Sequence, residues 1–193
     1  MLTDLSLKEF LDQTASNSPA PGGGSISALA AALGAALTSM VCRLTLGKKK
    51  YANVQTEIET ILQKSEHLRA AYLSLVDEDT QTFNAVMAAY AMPKETDEQM
   101  KVRTDAIQSA IKAATLVPVK VMELCLESLR LTKSVAEKGN QNSLSDAQVA
   151  ALMIKAGCKG AACNVQINLA SITDLSFIEQ TQKTVETILG QLD

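Results

Sequence analysis

One carboxylate in this sequence, Asp79, lies where an apolar side chain is expected. At about 100° of rotation per helical residue, Asp79 falls at the centre of one apolar stripe. The stripe consists of Leu68, Tyr72, Leu75, Phe83, Val86 and Tyr90. Asp77 and Glu78 point to other sides of the helix and are expected to be solvated charges. A buried carboxylate needs a partner or a function, so Asp79 is a candidate general base, and a structural bridge between helices is the alternative.

A second candidate site is the segment PAPGGGSISALAAALGAAL, which places Gly22, Gly23 and Gly24 before an alanine-rich helix. With Ser25 as the predicted helix cap, these glycines would expose backbone N–H groups at the positive end of the helix dipole. Such a site suits an anionic or carbonyl-rich ligand. It is not a P-loop, because Ser25 and Ile26 stand where Lys and Ser or Thr are required. The alternative is an ordinary loop that leads into a helix.

Amide and hydroxyl side chains form a third group, near the C-terminal end of the chain. Asn164 and Asn168 lie four residues apart on one helix face, and Ser145 and Asp146 lie at a helix N-terminus. The two amides could bind a ring with donor and acceptor edges, or they could simply join helices. The single histidine, His67, falls on a polar helix face and is expected to be solvated.

The elements that must position these residues are all predicted to be helices. The apolar residues repeat with helical spacing in every long segment, and no segment alternates as a strand would. Capping boxes are predicted at Ser6 with Glu9 and at Thr96 with Gln99, and Pro118 is expected to kink or split a long helix. We predict an all-α, up-and-down bundle of six or seven helices in a single domain, 1–193, with helices starting near residues 7, 25, 54, 96, 145 and either 173 or 176.

Composition excludes several classes of function. The chain has 193 residues, 47% hydrophobic content, a formal charge of −3 and no Trp, which indicates one domain and argues against nucleic-acid binding. Its four cysteines show no CxxC spacing, so neither a disulfide framework nor a zinc site is expected. The four cysteines are Cys42, Cys125, Cys158 and Cys163. We expect a reduced, cytoplasmic compartment.

The stretch 26–42 is the one candidate membrane segment in the sequence. It has 17 residues, six of them Ala, which is too short and too weakly apolar to span a bilayer. Acidic residues surround Lys8 near the start of the chain, which is unlike a signal peptide. We therefore expect a buried helix and no membrane contact, with Ala28, Ala32 and Ala36 allowing neighbouring helices to approach closely.

Five segments, taken in order, closely resemble the cyclodeaminase/cyclohydrolase family. They are PAPGGGSISALAAALGAALTSMV, LTLGKKKY, VDEDTQTFNAVM with a following MPK, GNQNSLSDAQVAA, and GAACNVQINLASITD. Each segment alone is only a modest indication of the family, but five in the same order are specific to it. The resemblance extends from residue 7 to about residue 189. The family comprises the C-terminal half of formiminotransferase-cyclodeaminase and stand-alone methenyltetrahydrofolate cyclohydrolases.

The resemblance implies an all-helical folate enzyme that forms homodimers, with the active site near the subunit interface. It makes Asp79, followed by Phe83, the proton acceptor, and it implies a tetrahydrofolate derivative as substrate, with no cofactor and no metal. The folate-site residues carried over from the family are Gly22, Gly23, Gly24, Ser25, Lys48, Lys49, Asn140, Ser145, Asp146, Asn164 and Asn168. The alternative is a non-catalytic folate-binding or assembly module with the same fold.

The glycines and the lysines of this proposed site cannot both contact one small ring. A helix over 25–46 is about 33 Å long, so Gly24 and Lys48 lie near opposite ends of one rod. Either the ligand stretches along the helix or a second subunit supplies one end, and the family resemblance favours the subunit. We therefore predict a homodimer whose interface includes the glycines and this helix.

Overall fold

The computed structural model describes residues 1–192, which fold into six α-helices. The helices are α1 (Leu7–Thr14), α2 (Gly23–Thr45), α3 (Gln55–Tyr90), α4 (Asp97–Lys138), α5 (Leu144–Leu169) and α6 (Leu175–Leu189). Short 3₁₀ turns lie at Leu2–Asp4, Lys49–Val54 and Gln141–Ser143. No strand is found in the described part of the chain. The prediction of an all-α bundle is confirmed.

The four long helices α2 to α5 form the bundle, and each runs antiparallel to the one before it. Two contacts for each helix pair show this arrangement. Between α2 and α3, Ser25 contacts Asp79 and Ala35 contacts Ser65, so the position on α3 falls as the position on α2 rises. Between α3 and α4, Glu57 pairs with Lys138 and Tyr72 contacts Ser128, so the direction reverses again. All six helices contribute buried apolar residues to one core. The up-and-down topology predicted from the sequence is therefore present.

The ends of the helices follow the predicted caps at two places and differ at a third. Ser6 and Thr96 both form complete capping boxes. Ser25 was expected to cap α2, but the helix begins earlier, with Gly22 as its N-cap, and Ser25 lies within the first turn. The prediction that Ser25 caps α2 is wrong because Gly23 and Gly24 already adopt helical conformations. The helix therefore begins before Ser25 and has no side-chain cap.

Pro118 does not divide α4, which continues from Asp97 to Lys138. The proline is buried within the bundle. Because proline has no N–H, the carbonyl of Ala114, four residues earlier, lacks its usual helical donor. Because α4 is not divided, the described residues form six α-helices, the lower of the two predicted numbers.

Helix α2 lies against α5 at very short range. A side chain at Gly34 would place its Cβ 2.5 Å from Cγ1 of Ile154, and one at Gly157 would place its Cβ 2.6 Å from the Ser27 carbonyl. By length and hydropathy α2 could cross a membrane, contrary to the expectation from residues 26–42, but 61% of its most apolar window is buried inside the fold. Burial, rather than length, identifies it as a core helix.

Asp77 differs most clearly from its prediction. It was expected to be solvated, yet only 6% of the residue is exposed. Its carboxylate accepts hydrogen bonds from the Leu2 N–H at 2.6 Å and from the Thr3 hydroxyl at 2.7 Å. The 3₁₀ turn at Leu2–Asp4 folds over this side of α3, which helical periodicity alone could not reveal. Glu78 is half-buried rather than solvated, whereas His67 is exposed as predicted.

Asp77→Asn is therefore expected to reduce stability rather than activity. Asparagine keeps one acceptor oxygen but replaces the other with an NH₂ group that cannot accept a hydrogen bond. We expect the free energy of unfolding to fall by about 1–3 kcal/mol, measured by urea denaturation. The exposed Asp12, on α1, is the matched control: Asp12→Asn should stay within about 0.5 kcal/mol of the unsubstituted chain. An Asp77 variant as stable as this control would contradict the anchoring role.

Candidate active site

A cleft of about 380 Å³ opens where the N-terminal end of α2 meets the C-terminal parts of α3 and α5 and the middle of α4. Its size is within the range of small-molecule sites. Three segments identified in the sequence converge here: the glycine loop (residues 19–24), the C-terminal part of the Asp79 stripe on α3, and the amide pair Asn164 and Asn168 of α5. The lining residues are Pro19, Ala20, Gly22, Gly23, Gly24, Asp79, Thr82, Phe83, Val86, Tyr90, Ile111, Ala114, Asn164, Ile167, Asn168 and Ser171.

Asp79 stands at the boundary between the core and this cleft. Within its stripe, Leu68, Tyr72 and Leu75 are buried in the core. Towards the C-terminal end of α3, the stripe forms one wall of the cleft, where Tyr90 is 44% exposed. The apolar stripe thus continues from core packing into a ligand-sized opening, and the carboxylate lies where the two meet.

The Asp79 carboxylate is held by Ser25. The Ser25 hydroxyl donates to Oδ2 of Asp79 at 2.7 Å and lies 3.3 Å from the hydroxyl of Thr80. Burial raises the pKa of Asp79 above its ordinary value, and the hydroxyl and backbone N–H of Ser25 oppose part of that rise. A carboxylate with a raised pKa is a stronger base than a solvated one, which suits proton abstraction near neutral pH.

The glycines leave room for side chains of the protein itself. A Cβ on Gly24 would overlap the Asp79 carboxylate, and a Cβ on Gly23 would lie 3.1 Å from Nδ2 of Asn164. The first intrahelical bond of α2 runs from Ile26 N–H to the Gly22 carbonyl at 3.1 Å. The N–H groups of the first turn therefore have no helical acceptor and lie at the positive end of α2. The absence of side chains lets the carboxylate approach this end of the helix.

The two amides of α5 lie on the opposite wall. Asn164 donates through Nδ2 to the Gly160 carbonyl of its own helix at 2.9 Å. That bond lies within α5, so Asn164 is not a bridge between helices, and its Oδ1 remains an acceptor beside the glycine loop. Asn168 lines the cleft one turn further on. The cleft thus offers a carboxylate, amide groups and apolar walls to one ligand.

Five predicted site residues lie at the other end of the bundle. Lys48 and Lys49 follow the C-terminus of α2, and Ser145 and Asp146 lie in the first turn of α5. Asn140 joins this group because its N–H donates to the Thr45 hydroxyl at 2.8 Å. Since the 23 residues of α2 span about 34 Å, no residue of this remote group reaches the cleft of the same chain.

The cleft has little capacity to hold a metal ion. Asp79 is the one carboxylate among the described residues that line it, and that lining includes no His or Cys. A bound divalent cation normally takes several such ligands. The titratable groups of the cleft are the Asp79 carboxyl and the Tyr90 phenol.

The family model for formiminotransferase-cyclodeaminase matches residues 6–187. The chain belongs to this family. A methenyltetrahydrofolate cyclohydrolase from Methylorubrum extorquens is 45% identical over 185 residues, which cover 96% of this chain and 89% of the relative. This family member is thus similar to a protein of nearly its own length.

Other members of the formiminotransferase-cyclodeaminase family are similar over part of their length. The formimidoyltransferase-cyclodeaminase of Rattus norvegicus is 38% identical over 190 residues, and the chain spans 35% of that protein. The crystal structure of formiminotetrahydrofolate cyclodeaminase from Thermotoga maritima superposes with a TM-score of 0.89 at 33% identity, covering 100% of this chain and 92% of the other. The same bundle is therefore found in a solved member of the family.

Proposed function

We propose that this chain is a folate one-carbon enzyme, acting as a 5,10-methenyltetrahydrofolate cyclohydrolase, a 5-formiminotetrahydrofolate cyclodeaminase, or both. The observation that carries the proposal is Asp79, a half-buried carboxylate in a ligand-sized cleft with a pKa raised by burial. The names of the relatives support the substrate class. No cofactor is required, because the folate is itself the substrate.

In the cyclohydrolase reaction, water adds to the cationic carbon that bridges N5 and N10 of the methenyl compound. Asp79 accepts a proton from the attacking water as its oxygen bonds to that carbon. Breaking the bond between the carbon and N5 then opens the ring and leaves the formyl group on N10. The product is 10-formyltetrahydrofolate. Before attack, the same carboxylate stabilises the positive charge of the bridging carbon in a partly dehydrated site.

In the cyclodeaminase reaction, N10 attacks the formimino carbon attached to N5. Asp79 accepts the proton that N10 loses, and ammonia leaves the resulting tetrahedral carbon to give the methenyl compound. Both reactions pass through a tetrahedral carbon and need one group that takes and returns a proton. One carboxylate in one cleft can therefore serve either reaction.

The walls of the cleft suit a flat ring with polar edges. Phe83, Val86 and Ile111 provide apolar surface. Asn164 and Asn168 can accept from and donate to the ring edge. The first-turn N–H groups of α2 can donate to a carbonyl or anionic group of the substrate. We place the reacting end of the folate here.

We also propose that the protein is a homodimer in which a second copy covers α2. An apolar stripe runs the length of the outer face of α2 with spacings of three and four residues: Ile26, Leu29, Leu33, Leu37, Met40 and Leu44. Leu33 is 49% exposed and Leu44 is 41% exposed, although α2 is otherwise a core helix. Two-fold packing of α2 on α2 would bring the remote group of one subunit, including Lys48 and Asn140, towards the cleft of the other.

Leu33→Glu tests this dimer, because it places a charge in the middle of the stripe. We expect monomers in sedimentation experiments, an unchanged helical circular dichroism spectrum and at least a tenfold loss of activity, since the free energy of burying a charge unpaired exceeds about 1.4 kcal/mol. Leu175→Glu is the control, as Leu175 is 72% exposed at the start of α6. A Leu33 variant that stays dimeric, or monomers with full activity at high dilution, would contradict the proposal.

We propose a cytoplasmic location and no nucleic-acid or membrane partner. A net charge of −3 is unlike that of proteins that bind phosphate backbones. Reduced folates and free cysteines both suit a reducing compartment.

The assay that tests the function follows the near-ultraviolet absorbance of methenyltetrahydrofolate. An enzyme-dependent decay of this absorbance identifies cyclohydrolase activity, and its appearance from the formimino compound identifies cyclodeaminase activity. We expect at least one of the two above the rate in buffer. Tight binding of both folates with no turnover of either would instead establish a non-catalytic folate-binding module.

A further inference from the structure

Ser25 is completely buried at the end of α2, and its hydroxyl faces Asp79 rather than the cleft. The residue has 0% of its surface exposed and does not line the opening. Because Gly22 is the N-cap, the Ser25 side chain is not used to satisfy the helix end. Its one strong contact is the 2.7 Å hydrogen bond to Oδ2 of Asp79. A group in this position reaches the carboxylate from the core side.

This hydrogen bond divides the two oxygens of the carboxylate between two tasks. Oδ2 accepts from the Ser25 hydroxyl, whereas Oδ1 accepts from no side chain in 1–192 and lies on the Gly24 side, at the end of α2 where the Ser25 N–H also acts on the carboxylate. Gly24 permits the arrangement, since a Cβ there would overlap the carboxylate. Thr80, 3.3 Å from the Ser25 hydroxyl, can in turn fix the direction in which that hydroxyl donates. Because Asp79 lines the cleft and the Ser25 hydroxyl approaches Oδ2 from the core, the oxygen without a side-chain donor is the one available to a proton from the cleft.

The family resemblance implied that Ser25 is a folate-site residue; we propose instead that it is a positioning residue, which orients the Asp79 carboxylate and keeps it ionised, and does not itself bind substrate. The consequence for turnover rests on the proposed folate function, but the effect on Asp79 does not. By donating to the ionised form, Ser25 opposes the effect of burial. The carboxylate thus stays available as a base although it is partly removed from water.

Few other charges bear on this carboxylate. The end of α2 and the glycine loop carry no titratable side chain, α5 presents the amides Asn164 and Asn168, and α4 presents Ile111 and Ala114. On α3, the neighbours are Asp77, which is bound to the N-terminal turn, Glu78, which does not line the cleft, and the Tyr90 phenol at the mouth. A change in the titration of Asp79 on substitution of Ser25 is therefore attributable to the lost hydroxyl.

The direct test is the titration of the Asp79 carboxyl carbon by ¹³C NMR in the full chain without ligand, with the resonance assigned by its loss in Asp79→Asn. In Ser25→Ala, we expect the pKa of Asp79 to rise by about one unit, as expected for loss of a hydrogen bond to a charged group. Ser25→Cys, which keeps a weak donor, should give a smaller rise and serves as the test if the alanine variant does not fold. Ser65→Ala is the matched control. It removes a buried hydroxyl bond between the same two helices, about 21 Å along α3 from Asp79, and should leave the titration unchanged.

The kinetic readout separates positioning from substrate binding. With the folate substrate, Ser25→Ala should move the acid limb of kcat/KM upward by the same amount as the NMR titration. It should lower kcat by about tenfold and change KM by less than about twofold. An unchanged pKa of Asp79, or a raised KM with kcat and the acid limb unchanged, would overturn the proposal. An NMR shift in a protein that turns over neither folate would uphold the role of Ser25 and refute the proposed function.

Discussion

We expect Asp79→Asn to lower turnover by about 10²–10⁴-fold, the usual cost of removing a general base. Asparagine has the same shape and can still accept the Ser25 hydroxyl through its amide oxygen. The fold and the binding of folate should therefore be retained. Initial rates, circular dichroism and equilibrium binding of the substrate, measured on one preparation, check all three expectations.

The pKa shift of Asp79 gives this substitution a second, distinctive consequence. Burial raises the pKa of Asp79 in the folded state above the unfolded value of 3.8. The folded chain then binds the proton more tightly, so this group's contribution to stability is largest at low pH and declines as pH rises through the raised pKa. Asparagine carries no charge, so at neutral pH the Asp79 variant should unfold at a temperature no lower than that of the unsubstituted protein.

Asp77→Asn provides the opposite pattern in the same helix. Asp77 anchors the Leu2–Asp4 turn and does not line the cleft. Its variant should lose stability and keep kcat, whereas the Asp79 variant should lose kcat and keep stability. If the two patterns were exchanged, the assignment of the base would be wrong.

Gly24→Ala should reduce activity by about 10²-fold although it adds a single methyl group. Alanine favours the helical conformation more than glycine does, so replacing a helical glycine with alanine usually stabilises the protein. At Gly24, however, the added Cβ would overlap the Asp79 carboxylate, so the acid must move or α2 must shift. A displacement of about 1 Å at a catalytic group costs on the order of 10² in rate.

Gly190→Ala is the matched control for this prediction. Gly190 follows α6 with helical backbone angles, and an added Cβ would come no closer than 3.4 Å to its neighbours. Its variant should keep full activity. The comparison requires kcat and the acid limb of the pH profile for both variants. Full activity in the Gly24 variant would show that the close packing of α2 on Asp79 is not needed.

Periodicity predicted the bundle well because packing of amphipathic helices is encoded locally. Apolar spacing and the caps at Ser6 and Thr96 are properties of short segments, and they located the long helices to within a few residues. The same reasoning placed Asp79 on an apolar face. It could not show that the face leaves the core about two-thirds of the way along α3, at Asp79, and becomes the wall of a cleft.

The errors arose where the decisive contact comes from a distant part of the chain. Asp77 was expected to be solvated because a helical wheel does not include the Leu2–Asp4 turn that covers it. Ser25 was expected to be a cap because it directly follows the glycines. Its hydroxyl instead bonds Asp79, 54 positions away, which local sequence could not reveal. Ile111 and Ala114, which complete the cleft from α4, carry no chemical signal that a sequence could reveal.

The role of Asp79 as the base is decided by comparing the unsubstituted chain with Asp79→Asn in the methenyltetrahydrofolate absorbance assay, on both folate substrates and at equal enzyme concentration. We expect the unsubstituted chain to accelerate at least one reaction. We also expect the folded, folate-binding Asp79 variant to lose at least 99% of that acceleration, as a loss of about 10² or more requires. Equal rates for the two proteins would show that Asp79 is not the base, and no acceleration by the unsubstituted chain would contradict the assignment of function.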